Sequence, residues 1–208
     1  LLLYCLYISE LCDMLSSNDF NSSLAFSLDQ FKKHDLVKAD SIDLMNRVDS
    51  KFLFRLSELP KILEECVSSY SALQMLKTCV FAYKNTYFDF PDYHLYLSHH
   101  NKKLNRNKVR FRTYPKTETK FLEVKTKTNK GRTVKARIKI PIENKVIGEE
   151  NAIFIAEQGI TNPKTLVPMQ MCNYKRISMM DYGASERLTF DFHLHYNCRY
   201  ENSNKRFD

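Results

Sequence analysis

The sequence predicts an α+β fold, with a mainly antiparallel sheet and a few short helices beside it. Three observations lead there. About seven runs alternate apolar and polar residues with the period of two that a strand imposes. About three or four short stretches instead carry helix signals. A hydrophobic content of 43%, with 12% aromatic, supplies a real core for a 208-residue chain.

In chain order, Leu3, Leu6, Tyr7, Leu11, Met14 and Leu15 follow a rough three-four spacing. A Ser/Asn-rich loop is expected from Ser16 to Ser23, then a second short segment around Leu28 and Phe31. Residues 1–36 thus read as a helical N-terminal arm, 37–200 as the main domain and 201–208 as a polar tail. Leu44 to Arg55 reads as the first strand. Ser57 is placed to cap a helix running to about Ser69, with Glu58 in its first turn and Pro60 tolerated early. Ala72 to Lys77 and Phe81 to Phe88 read as strands, DYHLYLSHH after Pro91 as a short helix, and 149–157 as another. Met169 to Met179 and Arg187 to Tyr196 close the series as alternating runs. No internal repeat, low-complexity tract or heptad pattern is present.

The most informative stretch runs from Arg106 to Lys139. Arg110, Arg112 and Tyr114 share one parity of its first run. Glu123, Lys125 and Lys127 share a parity on the second, and Lys135, Arg137 and Lys139 on the third. The opposite parity carries Val109 and Phe111, then Leu122 and Val124, then Val134, Ala136 and Ile138. Adjacent strands would lay a cationic carpet over an apolar underside, with charges roughly 5–7 Å apart. Such spacing suits successive phosphoryl groups, and the planar guanidinium grips two phosphate oxygens where Lys acts as a point charge. Periodicity leaves two arrangements open. The charged faces are solvated, which the pattern alone favours, or they line a closed barrel whose outside the helices cover.

Net charge is +8 and pI about 9.1, which points to an anionic partner. Asn101 to Lys145 holds 16 Lys or Arg against three acids (Glu118, Glu123 and Glu143), half of the 32 basic residues in the chain. With four glycines and no GK pair there is no phosphate-cradling loop of the P-loop or GxGxxG kind, and no GxSxG or HExxH occurs. His193 and His195 share a strand parity, which more often lines a polar face than binds metal. Six cysteines without a CxxC pair fit free thiols in a reducing compartment. The apolar start, Leu1 to Ile8, is too short to span a bilayer and lacks a basic leader region. A cytoplasmic protein, clipped at both ends, is the expectation.

Several runs form an ordered series: Arg47-Val-Asp-Ser-Lys51-Phe, Tyr87-Phe-Asp89 with Tyr93, Val109-Arg-Phe-Arg112-Thr-Tyr114 and Phe121-Leu-Glu-Val-Lys125. Gly131-Arg-Thr-Val-Lys-Ala-Arg137, Asn173-Tyr-Lys-Arg176 and Glu186-Arg-Leu-Thr-Phe-Asp191 continue it. Together, over about residues 40–196, they resemble the VTC (vacuolar transporter chaperone) domain of polyphosphate polymerases, a branch of the CYTH-like triphosphate tunnel metalloenzymes. The chain looks like the stand-alone bacterial form. The resemblance implies an eight-stranded-type β-tunnel with a basic lumen. It also implies transfer of the γ-phosphoryl group of ATP to a polyphosphate chain, aided by manganese or magnesium.

By motif position Lys51, Arg110, Arg112, Lys125, Lys135, Arg176 and Arg187 would grip phosphates. Arg47, Tyr87, Tyr114, Arg137 and Tyr174 would contact substrate, and Glu123 would be a metal carboxylate. Asp89 is open to a simpler role, capping the turn that follows it, and Asp191 to orienting Arg187. The family's further C-terminal strand, with a metal-holding glutamate, does not occur before Asp208; the resemblance implies either that it lies beyond a clipped end, the favoured expectation, or that the tunnel is open on one side and catalytically incomplete. Partners implied are ATP and inorganic polyphosphate, not DNA, with no membrane segment. Two competitors stay open. One is a tripolyphosphatase or nucleoside triphosphatase of the same fold. The other is a non-catalytic polyphosphate or RNA binder, for which Tyr114 is the main stacking aromatic on the three central strands.

Overall fold

The computed structural model describes residues 17–40, 49–183, 186–198 and 204–207. They build an α+β fold with five helices and nine strands among the described residues. β1 (Lys32–His34) and β2 (Tyr70–Leu73) pair in parallel. The remaining strands are β3 (Phe81–Asp89), β4 (Arg106–Tyr114), β5 (Thr119–Lys127), β6 (Thr133–Ile140), β7 (Val167–Asp181), β8 (Arg187–Cys198) and β9 (Asn204–Phe207). Pairing follows β1-β2-β7-β3-β4-β5-β6, with β8 between β7 and β9. The described residues fall into two compact units. The first holds 82–174, 193–198 and 204–206; the second holds 17–40, 49–81, 175–183, 186–192 and 207.

In the first unit β3 to β6 form consecutive antiparallel pairs with long, unbroken registers. Their apolar parity meets the expectation on β4 and β5, whereas on β6 Val134 is exposed and Ala136 and Ile138 are half-buried. Val109, Phe111, Leu122 and Val124 are buried, joined by Phe88 and Ile140. Two helices cover this side: Leu95 of α4 (His94–His100) and Ile155 of α5 (Glu149–Glu157) enter the same core. α4 is fastened by Asp89. Its carboxylate accepts from the backbone N–H of Phe90 at 2.7 Å, of Leu95 at 2.8 Å and of Tyr96 at 2.8 Å. That satisfies helix-start donors that would otherwise have no partner, so Asp89 has the capping role.

In the second unit α1 (Ser17–Asp29) and α3 (Leu59–Cys66) pack on the sheet. Phe20, Leu24, Leu28, Leu59 and Leu63 meet Ile177, Met179, Phe190 and Phe192 in one core. The Ser16–Ser23 segment expected as a loop is instead the first half of α1 from Ser17 onward. Phe20, Leu24 and Leu28 recur every four residues and bury, while Asn21, Ser22 and Ser23 face solvent. Tertiary burial outweighs the modest helix propensity of Ser and Asn.

The expected strand over Leu44–Arg55 is absent where it can be seen: 49–55 form no strand, and 41–48 lie outside the described residues. The expected cap at Ser57 sits inside a 3-10 turn, Leu56–Glu58, where Glu58 accepts from the Arg55 N–H at 3.0 Å. The run Ala72–Lys77 is cut short by a two-residue turn, with Leu76 and Lys77 both at positive φ, 49° and 58°, between the bonded pair Met75 and Thr78. Asn204–Phe207, read as part of a polar tail, is strand β9. No helix among the described residues is long and apolar enough to cross a membrane.

Asp89→Ala is expected to lower unfolding free energy by about 2 kcal/mol, since it strands several amides at once. Asp89→Asn, which keeps one acceptor oxygen, should lose less. Urea unfolding of the three proteins checks the order.

Candidate polyanion-binding site

The polar face of β3 to β6 is set by strand alternation and by register. Three rows run across it. Asn85, Arg112, Phe121 and Lys139 form the first, and Tyr87, Arg110, Glu123 and Arg137 the second. Lys108, Lys125 and Lys135 form the third. The third row puts three ammonium-bearing residues side by side, an arrangement that cross-strand pairing ordinarily avoids. Lys125 and Arg137 are exposed. Glu123 is the single acid on this face in β4 to β6.

Glu123 is only 2% exposed. Arg110 donates to its Oε2 from Nε at 2.8 Å and from Nη2 at 2.6 Å. Arg112 Nε lies 3.9 Å from the same oxygen. Lys135 Nζ lies 3.3 Å from Oε1, so this buried oxygen too faces a cation. Burial alone would raise the carboxyl pKa, but Arg110, Arg112 and Lys135 outweigh it and hold Glu123 below the usual carboxylate range. Burial pulls Lys135 below the ordinary lysine value against the pull of Glu123, with Arg112 adding to the fall.

The guanidiniums are held by rings as well as by the acid. Arg110 also donates to the Tyr87 hydroxyl at 3.0 Å and lies over that ring at 5.7 Å. Arg112 is buried. It donates to Asn85 Oδ1 at 3.0 Å and to the Tyr174 hydroxyl at 3.4 Å, and lies over Tyr83 at 5.3 Å. Asn85 is itself anchored by donating to the Cys172 carbonyl at 2.9 Å. Arg137 lies over Phe121 at 5.1 Å. The rings form a chain: Tyr174 stacks on Tyr83 at 5.1 Å, Tyr83 meets Tyr114 at 5.1 Å, and Tyr114 meets Phe121 at 5.9 Å. Each cation–π contact of this kind contributes about 0.5–2 kcal/mol.

Of the residues expected at the site, Arg110, Arg112, Glu123, Lys125, Lys135, Arg137, Tyr87, Tyr114 and Tyr174 all belong to the first unit. Arg110, Arg112 and Lys135 converge on Glu123. Lys51, Arg176 and Arg187 belong to the second unit. There Arg176 grips Asp191 with two bonds, Nε to Oδ1 at 2.5 Å and Nη2 to Oδ2 at 2.6 Å. Asp191 therefore holds Arg176, where the sequence pointed to Arg187. Lys51 and Arg187 are exposed, and Arg47 lies outside the described residues.

The sequence reading passed over Tyr83, Asn85 and Phe121. Strand alternation puts Tyr83 and Asn85 on the same face of β3 as Tyr87, and Phe121 shares its parity with Glu123.

At Glu123 the divalent ion that the resemblance implies would meet cations and not further acids. Three cations ring Glu123. Among the described residues, no group of three or more His, Cys, Asp or Glu side chains is placed to hold an ion. Among the described cysteines, Cys66 and Cys79 are free thiols.

One side of this sheet is packed under helices and the other carries a register of cations around a single acid, the charge pattern of a face suited to an anionic ligand. The VTC domain family model matches residues 46–207, and the chain belongs to that family, which is associated with polyphosphate. No curated protein matches the chain.

The depressed Glu123 pKa fixes the direction of acid destabilisation. The unfolded carboxyl, at about 4.3, takes up a proton before the folded one does. The stability from this group is thus fully present above about 4.3 and lost as pH falls through the lower folded value. In Glu123→Gln that part of the acid slope should disappear, as urea unfolding between about pH 7 and pH 3 would reveal.

Proposed function

We propose that this domain is an ATP-dependent polyphosphate polymerase, transferring the γ-phosphoryl group of ATP to the end of a polyphosphate chain. The observation that carries the reading is the row Lys108, Lys125 and Lys135 beside Arg110 and Arg112. Like charges this close repel, and a chain of phosphoryl groups at similar spacing offsets that repulsion.

In the reaction, a terminal oxygen of the acceptor chain bonds to the γ-phosphorus of ATP. The bond from that phosphorus to the β–γ bridging oxygen breaks, and ADP leaves with its electron pair. No covalent help from the protein is needed. Positioning and neutralisation of charge on the transferring group supply most of the rate. In this reading Arg110, Arg112, Lys125 and Lys135 grip phosphoryl oxygens, and Tyr87, Tyr114, Tyr174 and Arg137 shape and orient the cations or contact substrate. By motif position Lys51, Arg176 and Arg187 are assigned the same phosphate-gripping role. The ordered motifs and membership of the VTC domain family support the assignment.

Full-length protein given ATP and manganese is expected to make a ladder of polyphosphate on a gel. Phosphate release without chain product would replace the polymerase by a hydrolase, and tripolyphosphate binding with neither product would leave a binding module. Arg110→Ala should cut kcat by about 10²-fold, the scale seen when a group stabilising transition-state charge is removed. Lys125→Ala should weaken tripolyphosphate binding by about tenfold, roughly one charge-assisted contact. Unchanged turnover and affinity in both variants would remove the face from the site altogether.

A further inference from the structure

Glu123 is an acid where the surroundings favour none, and its geometry separates three roles. A carboxylate kept for metal would hold an open direction toward a doubly charged ion, yet Arg110, Arg112 and Lys135 stand 2.6, 3.9 and 3.3 Å from its oxygens. A carboxylate kept only for packing would not need three cations converging on it, yet β4 supplies Arg110 and Arg112 and β6 supplies Lys135. The third role is that of an internal counter-ion.

Resting on the reading of this face as a phosphate site, we infer that Glu123 is a positioning residue. It holds Arg110 and its neighbouring cations poised for phosphoryl oxygens. The donor count at Arg110 agrees. A guanidinium has five N–H donors. Two go to Glu123 Oε2 and one to the Tyr87 hydroxyl, which fixes the plane of the group. The two that remain, on Nη1 and Nη2, are available to an incoming phosphate. One negative charge against three positive ones leaves the group net cationic, so a polyanion adds counter-charge without having to displace the acid. Glu123 thereby makes the empty face tolerable and keeps its cations aligned.

The test compares wild type and Glu123→Gln in metal-free buffer, with and without inorganic tripolyphosphate, by thermal unfolding. Without the anion the variant should melt about 5 °C lower. With saturating tripolyphosphate the gap should shrink by at least half, because the ligand supplies the missing counter-charge. In the polymerase assay kcat should fall about tenfold or more while KM for ATP changes little, because misaligned cations still attract substrate but no longer fit the transferring group.

A gap that is the same with and without tripolyphosphate would make Glu123 a plain packing residue. A defect seen only when divalent metal is added would make it a metal ligand. Either result overturns the inference. If wild type itself shows no shift with tripolyphosphate, the phosphate-site reading fails and takes this inference with it. Should Glu123→Gln not fold alone, recovery on adding tripolyphosphate supports the counter-ion role and no recovery refutes it. Glu123→Asp, with its charge kept and its reach shortened, gives the same comparison in milder form. It should fall between the other two in kcat, and an Asp variant as defective as Gln in the tripolyphosphate-free melt would also count against the role.

Discussion

The contact between Arg110 and Glu123 is what lets a cationic sheet face exist in a folded protein. Strand alternation sends the charged residues of β4, β5 and β6 to the same side, and register brings like charges opposite one another. Electrostatics alone would splay or reorder such strands. A single carboxylate, buried to 2% exposure at the centre of the second row, draws in two guanidiniums and an ammonium. A buried charge is costly unless paired. Here the pairing runs in both directions, since the acid is acceptable only because of the cations, and they can crowd only because of the acid.

That arrangement needs rigid support, and the apolar side of the same strands provides it. Val109, Phe111, Leu122 and Val124 sit one residue away from the charged positions and are close to fully buried. A strand whose alternate side chains are locked in a core cannot slip register without moving every charge to the wrong side. Asp89 extends the same logic. It ends β3, whose preceding polar-face positions are Tyr87 and Asn85, and through three amide bonds it anchors α4, which caps the core. The position of the cations is thus tied to hydrophobic packing on the far side of the sheet.

Much of this was legible in the sequence because alternation is a local signal. The parity of Arg110 and Arg112 against Val109 and Phe111 is written within four consecutive residues, and β4 to β6 follow from it. Register is not local, so nothing in the sequence placed Arg110 opposite Glu123, and the acid drew a metal-ligand reading instead of a guanidinium partner. The same holds for Asp191, whose partner Arg176 lies 15 residues away on another strand. α1 was half missed because its Ser and Asn residues carry a loop composition, while the four-residue spacing of Phe20, Leu24 and Leu28 acts only once a core exists to receive it. In β8 the expected alternation holds through Phe192 and fails after it, since His193 takes a positive φ of 50°. No pattern of residue types announces that kink.

The aromatic residues bear on which polyanion this face suits. A surface that binds single-stranded RNA needs ring faces open to stacking bases. Here Tyr83 has Tyr174 stacked against it and Arg112 over it, Phe121 has Arg137 over it, and Tyr87 has Arg110 over it. These rings are committed to orienting guanidiniums, whose remaining N–H groups point their chemistry at oxygens and not at bases. Aromatic residues near cations would, from composition alone, speak equally for nucleic acid. Their placement fits the proposed ligand, one gripped by its phosphoryl groups, better than it fits a stacked base.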